Sequence, residues 1–405
     1  MVLGGGSQLF NRRILTQILA SLIALAVAVI YHQTNALVTK ATIHSPSHTL
    51  AAAPISKQDV LNQKLQQILD NQVAQGVPGV TMYITKANGW SWSGASGVSN
   101  LQEHIPMKAS DRFRIMSATK TFVATVVLQL AQEGRLGKQG LDTTINRLLP
   151  ANIANRIPNH NQIKVRHLLN HTSGLFNYID NERYERETFS EGTLDNVIDW
   201  AFGEGSKPPS SVPGKRYDYS DTNAIVAELI VQHVTGHPLA YEIRHRILTP
   251  LKLKNTYMER VEKGAVAGSG FVHGYTVDSK KAQSPLNKDV TNLGDVVGTG
   301  DGGLISNAED LARFAAGLFH PGTLLNKTFF SQLVNFNNHV GLGVFEEPGS
   351  GFKIWGHSGR WHGYSAQMYF LPDYNLAAAA LANDSNTDSG KFLREALNVL
   401  KSNLK

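Results

Sequence analysis

The sequence of 405 residues contains no cysteine. Disulfides, thiolate nucleophiles and cysteine-bound metals are therefore excluded, while the compartment stays open. An excess of one charge is also missing: the net charge of +6 is mild for this length and its basic residues are scattered. Nucleic acid is accordingly not expected as a partner. Two motifs are absent as well. No Gly-x-Ser-x-Gly occurs, which removes the strand-turn-helix nucleophile elbow. No His-Glu-x-x-His occurs either, and the i, i+4 pairs His167/His171 and His233/His237 have no adjacent Glu. "HLLNHTSGL" reads as a helix ending at a Thr-Ser-Gly turn, so neither a metal nor a cofactor is expected. What is present, 42% hydrophobic and 17% charged residues, belongs to a globular chain able to bury a sizeable core.

Near the N-terminus, Arg12 and Arg13 precede an apolar run from Ile14 to Tyr31, interrupted by Thr16, Gln17 and Ser21. A basic start followed by such a run reads as a signal peptide over 1–36, cleaved after Ala36. Its 18 residues also approach the length of a membrane anchor, which would tether the protein through 14–31. Either way the remainder is expected to be exported, to the periplasm or the outer face of the inner membrane. Residues 37–56, rich in Ser, Thr, Pro and Ala, read as a linker in which His44 and His48 are solvated. The folded domain is expected over 57–405.

Within it, Val60, Leu61, Leu65, Ile68, Leu69 and Val73 recur at helical spacing before Gly76 and Pro78. "VTMYITKANGWSWSGASGVSN" predicts two strands around a turn at Asn88-Gly89. Helical patterns dominate from about 118 to 285. Strand patterns return in "VGLGVF", "FKIWGHSG", "SAQMYFLPD" and "LAAAALAND", before a closing helix in "FLREALNVLKSNL". The expected fold is α/β (α+β): a mainly antiparallel sheet built from both chain ends and flanked by helices, with an inserted all-helical domain over roughly 118–285.

Ser-x-x-Lys by itself is a weak signal, and it occurs three times: Ser117/Lys120, Ser350/Lys353 and Ser402/Lys405. Only the first lies where a strand runs into a helix. There the i, i+3 spacing sets Lys120 beside the Ser117 hydroxyl, and a helix start places backbone N–H groups near the bond that is attacked. A serine hydroxyl needs a neighbouring base, and a buried lysine that loses its proton can serve. Two later stretches add Tyr219 and Asp221 in "YSD" before a helix, and His357, Ser358 and Gly359 in "HSG" at the end of a strand.

With "SATK" at 117–120, "YSD" at 219–221 and "HSG" at 357–359 in this order, the chain resembles a group of serine active-site enzymes. The group includes penicillin-binding proteins, class C β-lactamases, D,D-peptidases and related esterases. The resemblance covers roughly residues 57–400 and is strengthened by "GTGDGGLISNAEDLARF" and "HSGRWHGY". It implies that Ser117 forms an acyl-enzyme with a small-molecule or peptide substrate while Lys120 and Tyr219 share the proton work, the base being either one. It also implies an oxyanion hole from the backbone N–H groups of Ser117 and Arg360, and a role for His357 in holding a substrate carboxylate or tuning the Lys/Tyr pair.

Two departures stand out. Asp221 replaces the usual Asn; an ionised Asp only accepts hydrogen bonds, repels a carboxylate-bearing ligand, and is expected to pair with Lys120. His357 replaces Lys, pointing away from class C β-lactamases towards the His-bearing peptidases and esterases, and Arg360 is expected to narrow the cleft. The expected substrate is a β-lactam or a D-aminoacyl cell-wall peptide. An ester or other amide is the alternative, and a non-turning acyl-accepting sensor is the third reading. The sequence does not specify an oligomeric state.

Overall fold

The computed structural model describes residues 56–187, 194–262, 270–276, 288–292, 299–349 and 351–401. The apolar run at 14–31 and residues 37–55 of the linker lie outside them, while the linker's expected last residue, Ser56, is described and caps the first helix. The chain divides after Ile55, and every described residue falls in the second unit.

Helix α1 (Lys57–Ala74) starts at a capping box, with Ser56 Oγ accepting from Asp59 N–H and the Asp59 carboxylate accepting from Ser56 N–H. Its buried stripe is Leu61, Leu65, Ile68 and Leu69; Val60, expected in that stripe, is exposed instead. Strands β1 (Gly79–Lys86) and β2 (Ser91–Asn100) form the predicted hairpin, with Gly89 at φ +89° and Asn88 Oδ1 accepting from Trp90 N–H.

A seven-stranded antiparallel sheet follows the order β3-β2-β1-β12-β11-β10-β9. β3 is Ile105–Pro106, β9 Phe345–Glu346, β10 Trp355–Trp361, β11 Tyr364–Leu371 and β12 Leu376–Ala382. β1 pairs directly with β12, Val80 opposite Ala382, so both chain ends meet in the middle of the sheet, as expected. Strand β12, "LAAAALA", is buried on both faces and its side chains alternate between two cores. Ala378, Ala380 and Ala382 join α1 and α5 (Ser389–Leu400). Ala377, Ala379 and Leu381 join the other face, covered by α4 (Ala308–Phe319). Small residues let both layers approach a strand that neither leaves to water.

The predicted helices are present. The central ones, α2 (Thr119–Gln132) and α3 (Thr222–Thr235), pack on each other. The helical stretch is shorter than 118–285. Its last turn closes at Leu248, and β5 (Tyr257–Met258) and β6 (Tyr275–Thr276) follow, β6 pairing with β7 (Lys288–Asp289). β5 joins β4 (Phe113–Arg114) through β8 (Leu304–Ser306), because Glu259 binds Arg114 in the interior. "VGLGVF" supplies only the start of β9; the rest is a loop pressed on α2. A Cβ at Gly343 (φ +75°) would stand 2.3 Å from Ala124 Cβ, so glycine is required there. Among the described residues, no helix is long and apolar enough to cross a membrane.

Candidate active site

From Asp111 to Ala131 every residue is buried except Ser117, which is half-open to a cleft. Met116, just before it, takes φ +49°, a left-handed conformation that a non-glycine residue adopts only under constraint, and this kink turns Ser117 outward. Gly359 explains how the opposite wall comes so near. A Cβ there would lie 2.0 Å from the Ile115 carbonyl oxygen and 3.0 Å from the Ser117 nitrogen. Strand β10 therefore lies flat against the Ile115–Ser117 backbone. Beyond Gly356 its outer edge is not covered by β9, which pairs only with Trp355 and Gly356. Open backbone at Ser117 and along β10 near Arg360 is the arrangement an oxyanion hole needs.

Lys120 is buried, and its three N–H groups have three acceptors. Nζ lies 3.1 Å from Ser117 Oγ, 2.6 Å from the Asp301 carbonyl oxygen and 2.5 Å from Asp221 Oδ1. Burial by itself would push the ammonium's pKa down. The charges of Asp221, Tyr219 and Asp301 outweigh it, and Lys120 stands above its usual range. The pairing expected between Asp221 and Lys120 is thus present. Asp221 is steadied by its own N–H, which donates to Asn177 Oδ1 at 2.9 Å, and it lines the cleft.

Tyr219 sits half-buried before α3 and lines the same cleft as Ser117, with Lys120 Nζ 5.4 Å from its ring centroid. Burial raises its pKa above the ordinary phenol value; the charge of Lys120 opposes and that of Asp221 adds to the rise. Ser117 and Lys120 therefore meet Tyr219 and Asp221, which come from a stretch remote in sequence, at one point.

The third motif divides. Gly359 lets the two walls touch and Arg360 lines the cleft, while Ser358 is exposed. His357 corrects one expectation. It is buried, its Nδ1 donates to the Ser358 carbonyl at 2.6 Å, and burial pushes its pKa down to about 4. Its Nε2 is buried and has no hydrogen-bond partner among the described residues. A neutral ring enclosed beside Phe345, off the cleft, cannot hold a substrate carboxylate; what stays open to it is influence on the Lys120 group.

Sequence reasoning missed Asp301, Tyr178 and His171. The Asp301 carboxylate is buried and accepts from Tyr178 Oη at 2.5 Å and Thr299 Oγ1 at 2.6 Å, with burial raising its pKa. Behind it Glu228, pushed up to about 8 by burial, accepts from Gly300 N–H. "GTGDGG" had signalled the neighbourhood but not the role. The remaining cleft wall is largely apolar or aromatic, with Met116, Ile179, Tyr184 and Trp361, and the cleft has a volume of about 240 Å³. That suits a small ligand.

The "Beta-lactamase" family model matches residues 63–400. The chain belongs to that family. The resemblance drawn from the three motifs is thereby shown. Penicillin-binding protein 4* of Bacillus subtilis (strain 168) is 26% identical over 298 residues, covering 71% of this chain. The chain spans 64% of that relative's own length, less than two thirds. Among solved structures, the D-amino acid amidase from Ochrobactrum anthropi SV3, complexed with L-phenylalanine amide, is 26% identical with a TM-score of 0.74. It covers 85% of this chain and 100% of its own. The D-stereospecific amidohydrolase from a Streptomyces species is 28% identical with a TM-score of 0.70, covering 83% and 98%.

Proposed function

We propose that this protein is an amidase of small D-aminoacyl amides and peptides, acylated on Ser117, that selects acyl groups bearing a free ammonium. The observation that carries the reading is Asp221, an acceptor-only carboxylate on the cleft wall beside the nucleophile. It attracts an ammonium and repels a carboxylate placed near the scissile bond. The similarity to two D-specific amide hydrolases supports the amide bond and its stereochemistry. Arg360 supplies a cation to the same cleft, so a dipeptide with a free carboxylate on its leaving side uses both charges.

In this reading Lys120 is an ammonium throughout, because all three of its N–H groups are engaged. Tyr219 as phenolate takes the Ser117 proton while Ser117 Oγ bonds to the acyl carbon. The backbone N–H groups of Ser117 and Arg360 receive the oxyanion. The phenol then returns that proton to the departing amine, and water releases the acyl group. Since the Tyr219 pKa lies above the usual 10, the phenolate is a minority at neutral pH. The rate constant kcat/KM should therefore rise about tenfold per pH unit from neutrality towards pH 10. A flat profile over that range would reject a phenolate base.

The decisive comparison is ammonia release from D-phenylalaninamide, its L form and its N-acetyl form, with Ser117→Ala as control. Ser117-dependent release is expected, with the free amine preferred over the acetylated form by about tenfold or more, the worth of one charge-assisted hydrogen bond. No release, with turnover of short-chain p-nitrophenyl esters, would make the protein an esterase. The run at 14–31 supports export. N-terminal sequencing of envelope-fraction protein checks this: a start at Leu37 means cleavage, an intact membrane-bound chain means an anchor, and an intact cytosolic chain rejects export.

A further inference from the structure

Tyr219 must be held with its hydroxyl at Ser117, and one residue outside the three motifs grips the whole of its local backbone. The His171 carbonyl accepts from Asp218 N–H at 2.8 Å, and its Nδ1 accepts from Ser220 N–H at 3.3 Å. Between those two bonds its ring lies against Tyr219, with centroids 4.3 Å apart and planes 20° from parallel. Asn223 Nδ2 brings a second donor to Nδ1 at 3.1 Å. The Asn223 amide is oriented by Ser173, whose hydroxyl donates to Asn223 Oδ1 at 2.5 Å and accepts from Leu175 N–H.

Two N–H donors on Nδ1 leave no place for a proton there, so the imidazole is the neutral Nε2–H tautomer. Burial pushes its pKa down to about 3, and the facing Lys120 and His357 act in the same direction. His171 is 3% exposed, and its φ of +56° places it in the left-handed region, uncommon for a residue other than glycine. A plain core aromatic has no need of that backbone.

We propose that His171 is the positioning residue of the acylation step, templating residues 218–220 so that the Tyr219 hydroxyl meets Ser117. Its neutrality serves the same end. Lys120 already faces the Tyr219 ring, and a second cation against it would favour the phenolate and weaken it as a base. The proposal rests on Tyr219 being the base, as read above.

The test uses the full chain and the rate at which a fluorophosphonate labels Ser117, a probe indifferent to the natural substrate. His171→Phe keeps a stacking ring but loses the acceptor. Labelling should slow by about 10²-fold, the usual result of misplacing a catalytic group by an ångström. Tyr219→Phe should slow it by about 10²–10⁴-fold, and adding His171→Phe to it should cost nothing more. A double variant slower again by the full factor would overturn the proposal, since His171 would then act other than through Tyr219. Parental labelling in His171→Phe beside a slow Tyr219→Phe overturns this proposal alone. Parental labelling in Tyr219→Phe overturns the base reading with it. If His171→Phe does not fold, His171→Gln decides, keeping an acceptor without the ring. Slower labelling that disappears in the Tyr219→Phe background supports templating, and a parental rate rejects it.

Discussion

Two buried ion pairs are anchored on one short stretch of chain, and they are built for different ends. Arg114 meets Glu259 through two bonds, Nε to Oε2 at 2.8 Å and Nη2 to Oε1 at 2.7 Å, roofed by Phe271 and Tyr364. Lys120 meets Asp221 at a single point and directs its other N–H groups at a carbonyl and at Ser117. The guanidinium is a planar fork matched to its carboxylate, whereas the ammonium is a point charge whose bonds reach in different directions. The first pair ties β4 to the loop after β5 and does not line the cleft at Ser117. The second pair borders open space and shares its charge with Tyr219 and Asp301. Equal burial therefore does not mean equal purpose: geometry and access to the cleft separate a fastening from a working group.

That contrast can be broken most severely at Lys120. Lys120→Arg keeps the charge but not the point geometry, and fluorophosphonate labelling of Ser117 should fall by about 10³-fold while the chain stays folded. Glu259→Gln should do the reverse, lowering unfolding free energy by about 3 kcal/mol in urea titrations while Ser117 labels at its parental rate. A strong loss of labelling there would mean that the Arg114 pair also serves the chemistry.

Acid should expose a third difference, since the lysine pair is backed by His171 and His357, pushed down to about 3 and about 4. The unfolded chain, with histidine near pKa 6.5, binds protons that the folded chain refuses. Stability should thus be complete above about pH 6.5 and decline below it, by about 2 kcal/mol per histidine at pH 5. Thermal midpoints between pH 7 and pH 5 that do not move would contradict those buried, neutral rings. The smallest expected change is Asp221→Asn. Removing that carboxylate should raise acylation by penicillin about tenfold, followed by intact mass, and move the alkaline limb of kcat/KM to lower pH. Unchanged or slower acylation would deny Asp221 its part in excluding carboxylate-bearing ligands.

The alternation in β1 and β2, the Asn88-Gly89 turn, the helices and the sheet joining both chain ends were legible in the sequence because each rests on local periodicity or turn chemistry. The grouping of Ser117, Lys120, Tyr219 and Asp221 was implied instead by the resemblance to serine active-site enzymes, carried by three short motifs in order. Val60 and the loop at 340–344 were misread for a common reason: an apolar or β-prone residue says nothing of which neighbour covers it. Asp301, Tyr178 and His171 were invisible as site residues because each acts through a partner remote in sequence. Asp301 lends Lys120 a main-chain carbonyl, an atom every residue carries. The tertiary structure alone also decided that His357 faces inward and that Gly359 brings two backbones into contact. The sequence by itself determined which chemical groups the chain owns and the elements they ride on. Only folding decided their distances and dielectric surroundings, and those fix which lysine remains an ammonium and which histidine remains neutral.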